Sequence, residues 1–577
     1  MALSPLLPRR LLPPGLDFAL ANGAWLVLSG ATAAAVTLAW RSVAGRAPRL
    51  WPGSSAWLER LPSRTAVLAL TVASLAAALW LVPAYRWYGP PSGDEPKYLR
   101  LAYSLYRDLD AEVAADQPGA LGFDGVAPNL AHLWRRTRGT LATLGRGDRP
   151  SPAQVWGQGN WTVAGWHGGL YYVQSPGLPA LLVPALALRP PDGPEGPAPP
   201  LTVCTLAGLW ALALVQATRL ATEVSRSRLA GLLAAGAVCL SAPLLVGGQH
   251  FYPEVAAAAA VPWLARWLRP GGPCPGSPRV LILGVVAGAL PWLHVKFLPL
   301  GLTCAVLLAL RLRPRQRALL ALAVALPLAG LLLFQYGVTG LLRPDALYLR
   351  FGSDLYRGPA DFLSLRLSTG LVNAIFGGRD GLLVMAPILL ASALALPRLW
   401  RRDRPTALAL GALFASLWLV AAVHGGGAPG PPGRLLAPVI PLLAVPLAVG
   451  LAELHDHLPF RWTVVALLLA SLALSGAMLA DWRRTVKPFR GVLTAETDFT
   501  ADLPGGSSPA AGLAGGVLLV LMGAFWARRV SPMAPGGDAP AAQQAWRQIL
   551  AFHAAAWASV LAASAALHGL RGLLAPP

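Results

Sequence analysis

Thr65–Tyr85, TAVLALTVASLAAALWLVPAY, runs almost directly into Ser92-Gly93-Asp94-Glu95-Pro96-Lys97-Tyr98. The first stretch is apolar throughout. At about 20 residues it is long enough to cross a hydrocarbon layer of about 30 Å as a helix. The second stretch places two adjacent carboxylates where that helix leaves the bilayer. A long polar segment then continues to about Pro200 before the next apolar run begins.

The rest of the chain repeats the apolar theme. Of its 577 residues 55% are hydrophobic and only 13% charged, and the mean hydropathy is +0.53. Soluble domains carry about 25% charge. Apolar runs fall near 17–40, 66–86, 201–219, 229–247, 253–268, 280–294, 297–311, 318–338, 381–398, 406–423, 435–452, 463–480, 511–527 and 549–567. Together they predict an all-α polytopic membrane protein of about fourteen helices. Arg9 and Arg10 precede the first run without a small-residue cleavage site, so that run is expected to be a retained span. Residues 1–64 would add one helix and a cytoplasmic loop to a core at 65–480. A further loop and two helices would complete the chain at 481–577.

The net charge of +21 does not point to nucleic acid, because no basic stripe interleaves with aromatics. Its Arg residues sit in short loops instead. Arg41, Arg46, Arg49, Arg60 and Arg64 fall between the first two runs, and Arg219, Arg226 and Arg228 between the next two. Arg266, Arg269 and Arg279 follow, then Arg311 to Arg317, Arg398 to Arg404, and Arg528 with Arg529. Every second loop is Arg-rich, which predicts that those loops are cytoplasmic and that both termini lie outside. The long segments 87–200, 339–380 and 481–510 fall on the outer side. Within 87–200, Lys97–Leu109 has helical spacing, with Leu101, Leu105 and Leu109 on one side. Residues 116–130 and 145–160 read as loops, and 178–188 as a short interfacial or re-entrant helix. The four cysteines Cys204, Cys239, Cys274 and Cys304 form no CxxC and imply neither a disulfide framework nor a zinc site.

This topology gathers the unusual polar groups at one face: Asp94, Glu95, Lys97, His167, His250, Glu254, His294, Lys296, Arg379, Asp380, His424 and Arg434. Ionisable groups at membrane depth are costly and face a cavity or a partner. Asp94-Glu95 precedes Pro96, where acids equally serve as plain helix caps. Trp166, His167, Tyr171 and the glycines between them suit stacking on a sugar or anchoring at the interface. His250-Phe251-Tyr252-Pro253-Glu254 opens a span. Lys296 lies in a very short loop after His294 and either snorkels to lipid headgroups or holds a phosphate. Arg379, beside Asp380, and Arg434 offer bidentate contact to phosphate.

In layout these residues resemble the GT-C superfamily of polytopic glycosyltransferases, of the protein mannosyltransferase and aminoarabinose transferase type. The shared features are an acidic pair after an early span, a long first outer loop and many further spans. Ser175-Pro176-Gly177-Leu178-Pro179 is similar to the family's Pro-rich interfacial element. Tyr252-Pro253-Glu254 looks like its second acidic motif, and Arg434 with Pro438 and Pro441 like a late Arg-and-Pro pattern. The resemblance implies inverting transfer of a sugar from a polyprenyl-phosphate carrier to a lipid, glycan or protein acceptor, outside the inner membrane of a bacterium. It implies Asp94 as general base with Glu95 beside it, and Lys296, Arg434, Arg379 and His294 around the donor phosphate. Lys97, Trp166, His167, Tyr171, His250, Tyr252, Glu254, Asp380 and His424 would line the substrate. No cofactor is implied, and the strict Asp-x-Asp that would hold a metal is missing. The competing class is a transporter or flippase for a lipid-linked or anionic solute, which would be expected to show internal repeats and midplane charges. A non-catalytic scaffold is a third option.

Overall fold

The computed structural model describes residues 94–113, 157–188, 200–351, 381–423 and 433–480, with short breaks, and scattered positions elsewhere. The expected runs at 17–40, 66–86, 511–527 and 549–567, and the loop 481–510, lie outside those residues apart from Thr71.

Each apolar run within the described residues is helical. In chain order the helices are α1 (Glu95–Asp108), α2 (Gly177–Leu188), α3 (Pro200–Ser225), α4 (Arg228–Cys239) and α5 (Ala242–Leu245). Then come α6 (Pro253–Leu268), α7 (Ser277–Leu293), α8 (Leu298–Ala309), α9 (Pro314–Thr339) and α10 (Ala346–Phe351). The last five are α11 (Leu382–Met385), α12 (Ile388–Arg402), α13 (Arg404–Val423), α14 (Ala444–Glu453) and α15 (Leu458–Ala480). Leu201–Ser225, α9 and α13 are each long and apolar enough to cross a membrane alone, and α4 with the helical turns after it does so as a pair bent by 70°.

Several runs that read as single spans are broken. Ser241 and Pro243 part α4 from α5, and the chain then tightens into a 3₁₀ turn at Gly247–Gln249. Pro387 separates α11 from α12, whose first amide, Ile388 N–H, is answered by Ser471 Oγ of α15 at 2.8 Å. The run at 435–452 opens as 3₁₀ turns at Arg434–Leu436 and Ile440–Leu443 before α14 begins. Proline removes a ladder donor and clashes with the preceding turn, so these breaks follow from composition even though hydropathy runs across them.

The core lies among α3, α4, α6 and α14, around Leu206, Trp210, Leu220, Val238, Val261 and Leu447. On the flank, Gly284 and Gly288 of α7 let α9 approach; a Cβ at either would meet Ala323 or Val324 at 2.5 Å. Small residues one turn apart are how apolar helices gain contact when lipid offers no hydrophobic drive. Exposed Leu281, Ile282, Val306, Leu322 and Leu326 form the outward side of this region.

The described parts of the polar segment before α3 pack at one end of the bundle. α1 buries Tyr98 and Ala102 on the side of α2 and Leu101 in a small second core, whereas Leu105 is only half-buried; the buried stripe is thus rotated from the one expected. Strands β1 (Gly157–Gln158), β2 (Thr162–Ala164) and β3 (Leu170–Tyr172) make a small antiparallel sheet, with Val163 opposite Tyr171. This sheet replaces part of the expected loop. The two ends of the bundle differ in chemistry. At one, Glu223 binds Arg266 and Arg269, and Arg402 bridges Glu453 and the Ser225 carbonyl. Arg311 reaches the carbonyls of Trp267 and Gly272 there. Loops that the sequence placed on one side therefore do meet. The opposite end carries the groups described next.

Candidate functional site

The two adjacent acids part company at the start of α1. The Asp94 backbone carbonyl accepts from Lys97 N–H and Tyr98 N–H at 3.1 and 3.2 Å and so starts the helix. Its carboxylate is 32% exposed, and its Oδ1 accepts from Lys97 Nζ at 2.9 Å and Gln174 Nε2 at 3.3 Å. Glu95 is 1% exposed. Its Oε1 accepts from Phe251 N–H at 2.9 Å and lies 3.1 Å from His250 Nδ1. Glu95 thus pins α1 to the entrance of α6. A carboxylate so enclosed takes a different part from the reacting pair the sequence suggested, and His250 belongs with it.

The entrance of α6 supplies the second half. Tyr252 stands at the N-cap and Pro253 at the first helical position, where its missing N–H costs nothing. Tyr252 meets the Tyr98 ring edge-on, with centroids 6.4 Å apart, and the Arg434 guanidinium lies over it at 4.5 Å. Burial, helped by the nearby Tyr348, Glu254 and Asp94, pushes the Tyr98 phenol well above its ordinary value, so it stays a neutral hydroxyl. Glu254, in the first turn and 3% exposed, forms a buried ion pair with Lys296. Arg434 Nε stands 4.0 Å from the same Glu254 oxygen. Lys296 is therefore turned inward and 6% exposed, not snorkelling. Arg434 is presented by Gly433 at φ +69°, a conformation that favours glycine. Asp94 is close enough to act electrostatically on both Lys296 and Arg434.

His294 caps the 3₁₀ turn that carries Lys296. Its Nδ1 accepts from Lys296 N–H at 3.2 Å, so the proton belongs on Nε2, which lies 2.9 Å from the Tyr348 hydroxyl of α10. Both ring nitrogens are occupied. This makes His294 a support for Lys296, where the sequence suggested a phosphate ligand.

Trp166 and Tyr171 sit apart from this cluster. Trp166 packs edge-on against Tyr336 at 5.5 Å, and its backbone N–H donates to Val338 O. Tyr171 is buried in the small second core with Leu101, Val163 and Leu347. His167, Arg379, Asp380 and His424 lie outside the described residues. Tyr98, Gln174 and Tyr348 join the site without having been singled out. Tyr98 alone left a trace, one helical turn after Asp94.

Several buried polar atoms here lack a hydrogen-bond partner among the described residues: Glu254 Oε2, Arg434 Nε, Gln174 Oε1, and both amide atoms of Gln249. A narrow cleft is lined by Glu254 and Arg434 together with Pro243, Gly247, Gly248 and Tyr252. Native structures rarely leave buried polar atoms unanswered, so the arrangement suits a polar guest. Lys296 and Arg434 converge on one carboxylate, and Arg434 Nε has no hydrogen-bond partner among the described residues, which leaves a donor for an anion. Among the described residues no group of three His, Cys, Asp or Glu side chains could hold a metal ion.

No protein-family model and no curated protein matches the chain. Among solved structures it is similar to ArnT from Cupriavidus metallidurans, whose crystal structure is bound to undecaprenyl phosphate. That likeness covers 89% of this chain and 79% of ArnT, at 15% identity and a TM-score of 0.40. At that level it carries no argument about chemistry.

Proposed function

We propose that the protein is a membrane glycosyltransferase that moves a sugar from a polyprenyl-phosphate carrier to an acceptor hydroxyl at the outer face. One observation carries this reading. A partly open carboxylate, Asp94, shares one end of the bundle with two cations held around a buried carboxylate, and polar atoms there await a partner. A base and an anion cradle within electrostatic reach of each other are what phosphate-leaving sugar transfer needs.

In the proposed step the acceptor oxygen attacks the anomeric carbon as its proton passes to Asp94. The bond from that carbon to the phosphate oxygen breaks, and its electron pair leaves with the phosphate. The carboxylate takes the proton late, as the hydroxyl acidifies. Such positioned base catalysis is worth about 10²–10⁴-fold. Lys296 and Arg434 would meet the charge growing on the leaving phosphate. Both are buried, where an electrostatic contact is screened least. Glu254 orients the two cations, His294 fixes the turn that holds Lys296, and Glu95 sets the height of Asp94. Attack from the face opposite the phosphate would invert the anomeric centre.

Mass spectrometry of glycolipids, glycans and proteins from cells carrying the wild type or Asp94→Asn tests this. A sugar addition present only with the wild type is expected. Identical profiles from the two would reject the reading.

A further inference from the structure

We propose that Gln174 reads the acceptor, and that the acceptor is a polyol: a glycan or glycolipid sugar whose attacking hydroxyl has a second hydroxyl beside it. This deepens the transferase reading and rests on it. Gln174 lies between β3 and α2 and is 4% exposed. Its amide has only one sensible orientation. The carboxylate of Asp94 accepts and cannot donate, so the atom 3.3 Å from Asp94 Oδ1 is the NH₂ group. The carbonyl, Oε1, is then the far end of the same planar group. It is sealed from solvent and has no donor among the described residues.

Asp94 is asymmetric in the matching way. Its Oδ1 already takes two donors, Lys97 Nζ and Gln174 Nε2. Among the described residues Oδ2 takes none, which leaves it as the oxygen that receives the proton. The free oxygen of the base and the free oxygen of the amide are thus tied into one unit by the bond between them. A lone hydroxyl can answer only one of the two. A sugar diol answers both: the attacking hydroxyl gives its proton to Asp94 Oδ2, and its neighbour keeps its proton and donates to Gln174 Oε1. Leaving a buried acceptor unanswered forfeits the hydrogen bonds it would make in water. Sites built to bind a hydroxyl reject analogues without it by about 10⁴–10⁵-fold. An isolated Ser or Thr side chain is such an analogue.

The test compares products and two variants. In cells with the wild type, the added sugar is expected on a glycan or glycolipid. Gln174→Met keeps the length and loses both polar atoms. It is expected to lower product at least about 100-fold, between the hydroxyl-discrimination limits of small and polar contacts. Purified Gln174→Met should still retain undecaprenyl phosphate in native mass spectrometry, because Lys296 and Arg434 are untouched. Gln174→Glu keeps the shape. While it shares a proton with Asp94 it donates and accepts as the amide does; once ionised, it sets two carboxylates against each other. Its activity should therefore fall as pH rises across a range where the wild type holds steady, a signature that a packing defect lacks. Transfer to Ser or Thr alone, wild-type product levels from Gln174→Met, or a wild-type pH profile from Gln174→Glu would overturn the proposal and leave the transferase reading standing. Wild-type profiles that match Asp94→Asn would remove both.

Discussion

Asp94 and Glu95 carry the same chemistry one residue apart, yet a helix start turns one toward open space and the other into the protein. Their substitutions should separate accordingly. Asp94→Asn keeps the size and the backbone contacts of the helix start, so its melting temperature should match the wild type while transfer falls by about 10²–10⁴-fold. Glu95→Gln weakens the buried bond to Phe251 N–H and the contact with His250. It should cost about 1–3 kcal/mol, seen as a lower melting temperature in detergent, with a smaller loss of transfer. The reverse pattern would exchange their roles. Lys296 and Glu254 invite a second comparison. Breaking a buried pair from one side strands a charge and costs about 3–5 kcal/mol, whereas apolar replacement of both is often near neutral. Lys296→Met leaves Glu254 with Arg434 4.0 Å away, so it should lower the melting temperature less than Glu254→Met, which strands both buried cations. Neither should retain undecaprenyl phosphate in native mass spectrometry. Wild-type binding by Lys296→Met would show that the pair is only structural.

At the scale of elements, what hydropathy could see and what it could not divide cleanly. Apolar content marks a span wherever it continues, so the runs at 253–268 and 463–480 were legible, with α6 matching its run end to end. It is blind to a break that stays apolar, and Ala242-Pro243-Leu244-Leu245 is as greasy as the helix before it. The acid and cation motifs were legible because charge is rare in such a chain. Gln174 and Tyr348 were not, because a single neutral polar residue in a long loop differs in nothing from its neighbours until the fold brings it to Asp94 or His294. The break before Arg434 is where an element shapes the site. Gly433 holds a left-handed φ, and a Cβ there would also meet Pro243 Cγ at 3.1 Å. Gly433→Ala should cost about 1–2 kcal/mol from the backbone alone. It should also weaken undecaprenyl phosphate retention, since Arg434 is the next residue. A variant that melts lower yet binds as the wild type would mean that Arg434 does not depend on this turn.

At the scale of the whole molecule, the proposal needs the acid–cation chamber and the Arg-rich end to face opposite compartments. The joining of Arg402 to Ser225 and Glu453, and of Arg311 to Trp267 and Gly272, shows that loops far apart in sequence share one end. Short Arg-rich loops favour the cytoplasm, so the proposed reading puts that end inside and the chamber outside. The chain carries its own reporter. Cys274 is exposed in the loop between α6 and α7 at the Arg-rich end, whereas Cys239 and Cys304 are buried and Cys204 is half-buried on α3. With Cys204 replaced by Ala, a membrane-impermeant maleimide should leave Cys274 unlabelled in intact cells and label it after permeabilisation. Leu342, exposed just past the end of α9 away from the Arg-rich loops, supplies the complement: in Leu342→Cys, with Cys274 also replaced by Ala, labelling should occur without permeabilisation. Labelling of Cys274 from outside would turn the chamber toward the cytosol. Asp94 would then face soluble activated sugars, and there would be no reason for the donor to be carried on a lipid.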